Sequence, residues 1–309
     1  MYNNYRDNWE RLVKAVFDRE KLKQLALAHS RESSTSSMSW LDSPIHDRIL
    51  QLEGFSSPNT VNEQDWERLL PSDYENIISR SVNRVDYASK KELYLSLCES
   101  PILLDGGKMS FHLDKRTGKK CYMIGAKELG IAWGETPMYW EWNSQMDSRF
   151  SMVAKLLEVW WLDIRGKIEV KMLSPNTQYV AYLVYRLAQN FFGLGSANGM
   201  IKFLIREKDA DAEKRATTLR LLASKNTNSQ NAVVRRPDGW MEVVIGHFYN
   251  DKGDDGMVEA RLLETKYFKS GLIVEGIEFR PLNADSVIFS KKGVKNVKKG
   301  LLSKFRISK

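Results

Sequence analysis

The chain has 309 residues, 47 Lys plus Arg against 39 Asp plus Glu, an apolar fraction of 42% and two cysteines, Cys98 and Cys121. That composition supports a buried core and excludes a disulfide framework, and no apolar run approaches the roughly 20 residues that span a bilayer. The formal charge of +8 suggests a nucleic-acid binder, but eight basic residues and no acid lie between Lys291 and Lys309, leaving residues 1–290 with 39 charges of each sign.

In chain order, residues 7–28 read as an amphipathic helix, with Trp9, Leu12, Val13 and Val16 on one stripe. Residues 1–30 are assigned to it. The Ser-rich run from Arg31 to Ser39 opens a flexible linker over 31–61. Order is expected to resume near Trp66, with a helix stop at Pro71 and capping boxes at Ser72-x-x-Glu75 and Ser89-x-x-Glu92 that start two further helices. Met1–Arg6 leads straight into polar sequence with no secretory signal, so a place in the cytosol or nucleus is expected.

Beyond Pro101 short β-branched and aromatic segments alternate with turn residues, the pattern of a sandwich or barrel. Lys167–Met172 alternates charged and apolar residues as a half-buried strand does. Tyr179–Leu187 is apolar on both faces and reads as a central strand; Trp240–Phe248 and Gly271–Phe279 are further strands. Between them Asp209–Ser229 is polar enough for a long excursion with a short helix. In Val159-Trp-Trp-Leu-Asp-Ile164, which runs into the alternating strand, at least one of Trp160 and Trp161 is expected in the core.

Catalytic chemistry has little to build on. His29, His46, His112 and His247 stand in separate segments, and neither cysteine has metal-ligand spacing. Asp105-Gly-Gly-Lys108 lacks the phosphate-loop frame, and Asp251-Lys-Gly-Asp-Asp-Gly256 breaks the calcium-loop alternation. No enzyme activity, metal or cofactor is therefore expected. The unusual feature is Trp133-Gly-Glu-Thr-Pro-Met-Tyr-Trp-Glu-Trp142, with three Trp and one Tyr in ten residues. Exposed, such rings offer apolar faces to the C–H face of a pyranose; buried, they fill the core.

The blocks Lys119–Met123, Ala126–Trp133, Pro137–Trp142, Ala154–Ile168, Arg236–Glu242 and Gly271–Pro281 resemble, in order and spacing, the plant phloem protein 2 family of Nictaba-like lectins. The resemblance covers about residues 96–283. It implies a mainly β, jelly-roll-like β-sandwich lectin domain preceded by short α-helices, nucleocytoplasmic and binding N-acetylglucosamine oligomers or N-glycan cores without a metal. It also implies sugar-binding roles for Trp133 and Trp140 and for two carboxylates, of which one falls on Glu264 and the other is replaced by Met257. Glu259, on the same face as Met257, is the expected substitute.

Upstream, Trp66–Arg80 and Lys90–Tyr94 resemble the junction of F-box members of that family, so 62–95 is assigned as an F-box-junction remnant. In this second reading the chain is an adaptor that recruits substrates to a ubiquitin ligase through a Skp-type partner, or an interaction module that has lost sugar binding. Residues 40–61 are too short and polar to complete an F-box. The expected partners are thus glycans or glycoproteins, a Skp-type adaptor, and a second copy of the chain in a homodimer. The basic tail over 284–309, with Val294, Val297, Leu301 and Phe305 at helical spacings, is expected to be solvated or to contact nucleic acid or anionic membrane.

Overall fold

The computed structural model describes residues 63–205, 209–222, 233–253 and 256–282, all within one compact unit. The amphipathic helix, the Ser-rich linker and the basic tail lie outside the described residues.

Two antiparallel sheets form a β-sandwich, as the turn spacing predicts. The larger runs β1(Ile102–Leu104), β2(Met109–Leu113), β3(Lys120–Gly125), β14(Ser270–Pro281), β8(Thr177–Phe192), β12(Met241–Asn250), β11(Val234–Arg235). Beside β14 it also holds β6(Val153–Leu156), which pairs with β5(Trp140–Asn143). The smaller runs β10(Thr217–Arg220), β9(Ser196–Phe203), β13(Met257–Glu264), β7(Leu162–Glu169), β4(Gly130–Ile131). β8 lies between β12 and β14, and its inward residues Tyr179, Ala181, Leu183 and Tyr185 are buried. In the core Tyr179 stacks on Phe248 at 5.8 Å between ring centroids, and Phe248 meets Phe279 edge to face at 6.2 Å. At Gly276 a Cβ would meet the Ile124 carbonyl oxygen at 2.2 Å, so only glycine lets β14 approach β3 this closely.

Among the described residues three helices, α1(Glu63–Leu69), α2(Tyr74–Ser79) and α3(Lys90–Glu99), precede the strands. Ser89 caps α3 by accepting from the Glu92 amide at 3.1 Å, as its box predicts. The box at Ser72 does not form: Asp73 is the N-cap of α2 without a side-chain cap, and the Glu75 carboxylate instead accepts from the Tyr74 hydroxyl. Trp66 and Tyr94 pack at 5.7 Å, burying the apolar faces of α1 and α3 together. The segment is fastened to the larger sheet. Arg80 donates twice to Asp105, at 2.9 and 2.6 Å; Lys120 pairs with Asp73 at 3.0 Å; the Val82 amide donates to the Leu103 carbonyl at 2.8 Å.

Two local expectations need correction. The alternating strand ends at Glu169, because Val170–Met172 turns as a 3-10 helix, and β7 begins earlier, at Leu162. Trp160 and Trp161 are 66% and 47% exposed, so neither is core. They fall in the link between β6 and β7, where the period-2 rule has no strand to act on. The excursion after Asp209 contains the expected short helix, α4(Asp209–Lys214), and also β10.

Candidate functional site

Three connections build an aromatic cavity: the β4–β5 loop, the β6–β7 link, and the β13–β14 connection that carries Phe268. The first follows β4. Trp133 has φ +54°, a left-handed conformation that costs an indole-bearing residue energy and persists only where its surroundings impose it. Here they do. The Trp140 indole N–H donates to the Ala132 carbonyl at 3.1 Å, and the Trp142 indole N–H donates to the Gly134 carbonyl at 2.9 Å. The Thr136 amide donates to the Trp133 carbonyl at 2.8 Å. Trp133 is thereby held 50% exposed, its ring centroid 5.9 Å from that of Tyr139. Trp140 is 2% exposed, which corrects the expectation that its ring meets a sugar: it anchors the loop that presents Trp133.

The second connection is the β6–β7 link. Its Leu157 amide donates to the Tyr139 carbonyl at 2.9 Å, tying it to the first loop. Val159 and Lys269 exchange backbone hydrogen bonds of 2.9 and 2.8 Å. The Lys269 ammonium is buried, donates to the carbonyls of Trp160 and Tyr267, and pairs with Glu264 at 2.5 Å. Burial acts to raise the Glu264 pKa, but the Lys269 ammonium and the Lys266 and Tyr267 amides more than offset it and hold the carboxyl below its usual range. Glu264 thus fixes, through Lys269, the backbone that carries Trp160.

Between these connections lies a cavity of about 220 Å³ lined by Trp133, Tyr139, Glu158, Val159, Trp160, Trp161 and Phe268. The Trp160 and Phe268 rings meet edge to face at 6.2 Å, and Phe192 extends the aromatic surface 6.2 Å beyond Phe268. Of the four residues anticipated from sequence, the structure brings Trp133 into the wall and sets Trp140 and Glu264 behind it. Glu259 lies five positions from Glu264 on β13, roughly 16 Å away at about 3.3 Å per residue. It is buried against Lys167 at 3.5 Å and does not join this cavity. Met257 is half-buried at the far end of the same strand.

Glu158, Trp160, Trp161 and Phe268 are the residues that sequence reasoning missed. Among the described residues no group of His, Cys, Asp or Glu has a metal-binding arrangement.

Fold and cavity together define a lectin-like β-sandwich. A family model described as Phloem protein 2 matches residues 119–281, and the chain belongs to that family. It is 41% identical over 220 residues to F-box protein PP2-B10 of Arabidopsis thaliana, covering 70% of this chain and 79% of that protein. To putative F-box protein PP2-B12 of the same plant it is 42% identical over 219 residues, covering 70% and 82%. Among solved structures, TmCBM61 in complex with beta-1,4-galactotriose overlaps 52% of this chain and 88% of its own at 8% identity and a TM-score of 0.25, too slight a likeness to carry argument.

Proposed function

We propose that the chain is a carbohydrate-binding protein that stacks a pyranose of an N-acetylglucosamine oligomer or N-glycan core on Trp133, with Trp160 and Trp161 completing the enclosure. The observation that supports this reading is the exposure of three indoles around one small cavity, on loops fixed by partly buried hydrogen bonds. At about 220 Å³ the cavity is smaller than the roughly 300 Å³ where drug-sized pockets begin, so it takes one sugar ring while the rest of the oligomer runs over the surface. Covering roughly 50 Å² of the Trp133 indole face and roughly 50 Å² of the sugar C–H face at about 25 cal/mol per Å² contributes about 2 kcal/mol, and the partial contacts of Trp160 and Trp161 add to it. Single-site binding is then weak, in the range of roughly 10 μM to 1 mM, and a homodimer would raise it through avidity. The reading is of a binder in the cytosol or nucleus, not an enzyme.

A glycan array probed with the full chain tests it. Binding should survive a chelator and be lost in Trp133→Ala and Trp161→Ala; a folded Trp133→Ala protein that binds as well as wild type would overturn the stacking mechanism. The names of the relatives favour a second reading, an adaptor in which this domain selects the target and a Skp-type protein supplies the ligase. Co-purification with such a partner from plant extract is its test, and its absence leaves the carbohydrate reading alone.

A further inference from the structure

The cavity at Trp133 carries a charge that stacking alone does not use. Glu158 is exposed, is the only charged side chain in the lining, and makes no hydrogen bond or ion pair among the described residues. Three lysines of the neighbouring segments are engaged elsewhere. Lys155 pairs with Glu141 at 2.9 Å, Lys269 with Glu264 at 2.5 Å, and Lys127 with Glu135 at 3.7 Å while its ammonium sits 3.7 Å over the Trp142 ring. The wall around this carboxylate is otherwise aromatic: Trp133, Tyr139, Trp160, Trp161 and Phe268. Ring faces attract an organic ammonium through their quadrupoles, and a carboxylate without a counter-ion attracts it by charge. A neutral acetamide gains neither attraction, and an acidic sugar is repelled.

Building on the stacking reading above, we infer that this cavity takes an amino sugar with a free ammonium group more tightly than the acetylated sugar, and that Glu158 is the residue that sets this preference. The sugar ring lies on Trp133 in both cases. In the deacetylated unit the ammonium meets Glu158 beside the indoles of Trp160 and Trp161, and no bond is made or broken.

The test titrates the full chain with a glucosamine tetramer and an N-acetylglucosamine tetramer, following tryptophan fluorescence and calorimetry. Near pH 6 and low salt the glucosamine tetramer should bind about five- to tenfold tighter, the range expected of a partly exposed ion pair supported by cation–π contact. The ligand amine is charged below its pKa, so this advantage should disappear by about pH 9 and shrink with added salt. Glu158→Gln should bring the two ligands within about twofold of each other, whereas Glu169→Gln, on β7 and outside the cavity lining, should leave the preference in place. Acetylated binding equal to or tighter than glucosamine binding near pH 6, or a preference that survives Glu158→Gln, would overturn the inference. Those results would leave the stacking reading standing. Binding of neither tetramer would end both.

Discussion

The rim of the aromatic cavity and the outer face of the larger sheet invert the usual placement of residues in opposite ways. At the rim, Trp133, Trp160 and Trp161 stand in water while Lys269, a residue type that is almost never fully buried, is 1% exposed. On the sheet, Glu278 is 1% exposed and faces Arg236 at 2.7 Å, Arg149 at 3.3 Å and Arg280 at 3.4 Å. Glu242 closes the network on Arg236 at 3.2 Å and Arg280 at 2.7 Å. An exposed apolar ring lowers stability only slightly and gains something only when a ligand covers it. Buried charges are costly to desolvate and tolerable only when fully paired, so their complete pairing marks a structural role. On the proposed reading, recognition falls to the rim, while the paired charges hold strand register in the sheet.

Removing the network's central carboxylate should have the largest effect. Glu278→Ala leaves Arg149, Arg236 and Arg280 without their shared partner, and should cost about 3–5 kcal/mol in urea unfolding. A cost below about 1 kcal/mol would mean that these charges are solvated and the comparison fails. Next in size is a pH effect on the same face. Burial, the largest influence on His112, holds its pKa down to about 4, below the 6.5 of an unfolded histidine. The unfolded chain therefore binds more protons as pH falls. The contribution is full above about pH 6.5 and is largely lost by about pH 4, amounting to about 3 kcal/mol. Below that, Glu264 and Glu278, both held below the ordinary carboxylate range, lose their contributions as they protonate. Urea midpoints measured across this range should fall less steeply in His112→Gln; an unchanged slope would rule His112 out.

The same contrast explains what could be read in the sequence. The sandwich was legible because alternation and turn spacing report burial directly, and the central strand Tyr179–Leu187 stands where its two apolar faces put it. The ion network was not legible, since Glu278 and Arg280 on β14 meet Arg149 and Arg236 from distant loops, and no period links them. At the site, the Trp133 block announced itself by composition. The roles of its members did not, because composition does not tell that Trp133 sits in a turn at φ +54° while Trp140 opens β5 with its ring buried. Trp160 and Trp161 were misplaced because a two-residue pattern was carried across the end of a strand.

Those two positions also separate the rim's functions. Trp133→Ala should weaken glycan binding by about thirtyfold, about 2 kcal/mol for an anchoring aromatic, and change unfolding stability by less than about 0.5 kcal/mol. Comparable losses in both measurements would show that Trp133 is structural.

Trp140→Phe should act the other way round and more gently. It keeps an aromatic ring in the core but removes the indole N–H that holds the Ala132 carbonyl at 3.1 Å, at a cost of about 1–2 kcal/mol of stability for the lost bond and the altered packing. Binding should weaken only about two- to fivefold, because Trp133 remains present and loses fixation rather than contact. The diagnostic is the response to temperature. As the substituted loop samples conformations other than the φ +54° of Trp133, ordering it on binding should make the measured entropy more unfavourable than in wild type. A Trp140→Phe protein with unchanged stability but binding as poor as Trp133→Ala would show that the ring of Trp140 itself touches the sugar, and that the loop opens further than its hydrogen bonds allow here.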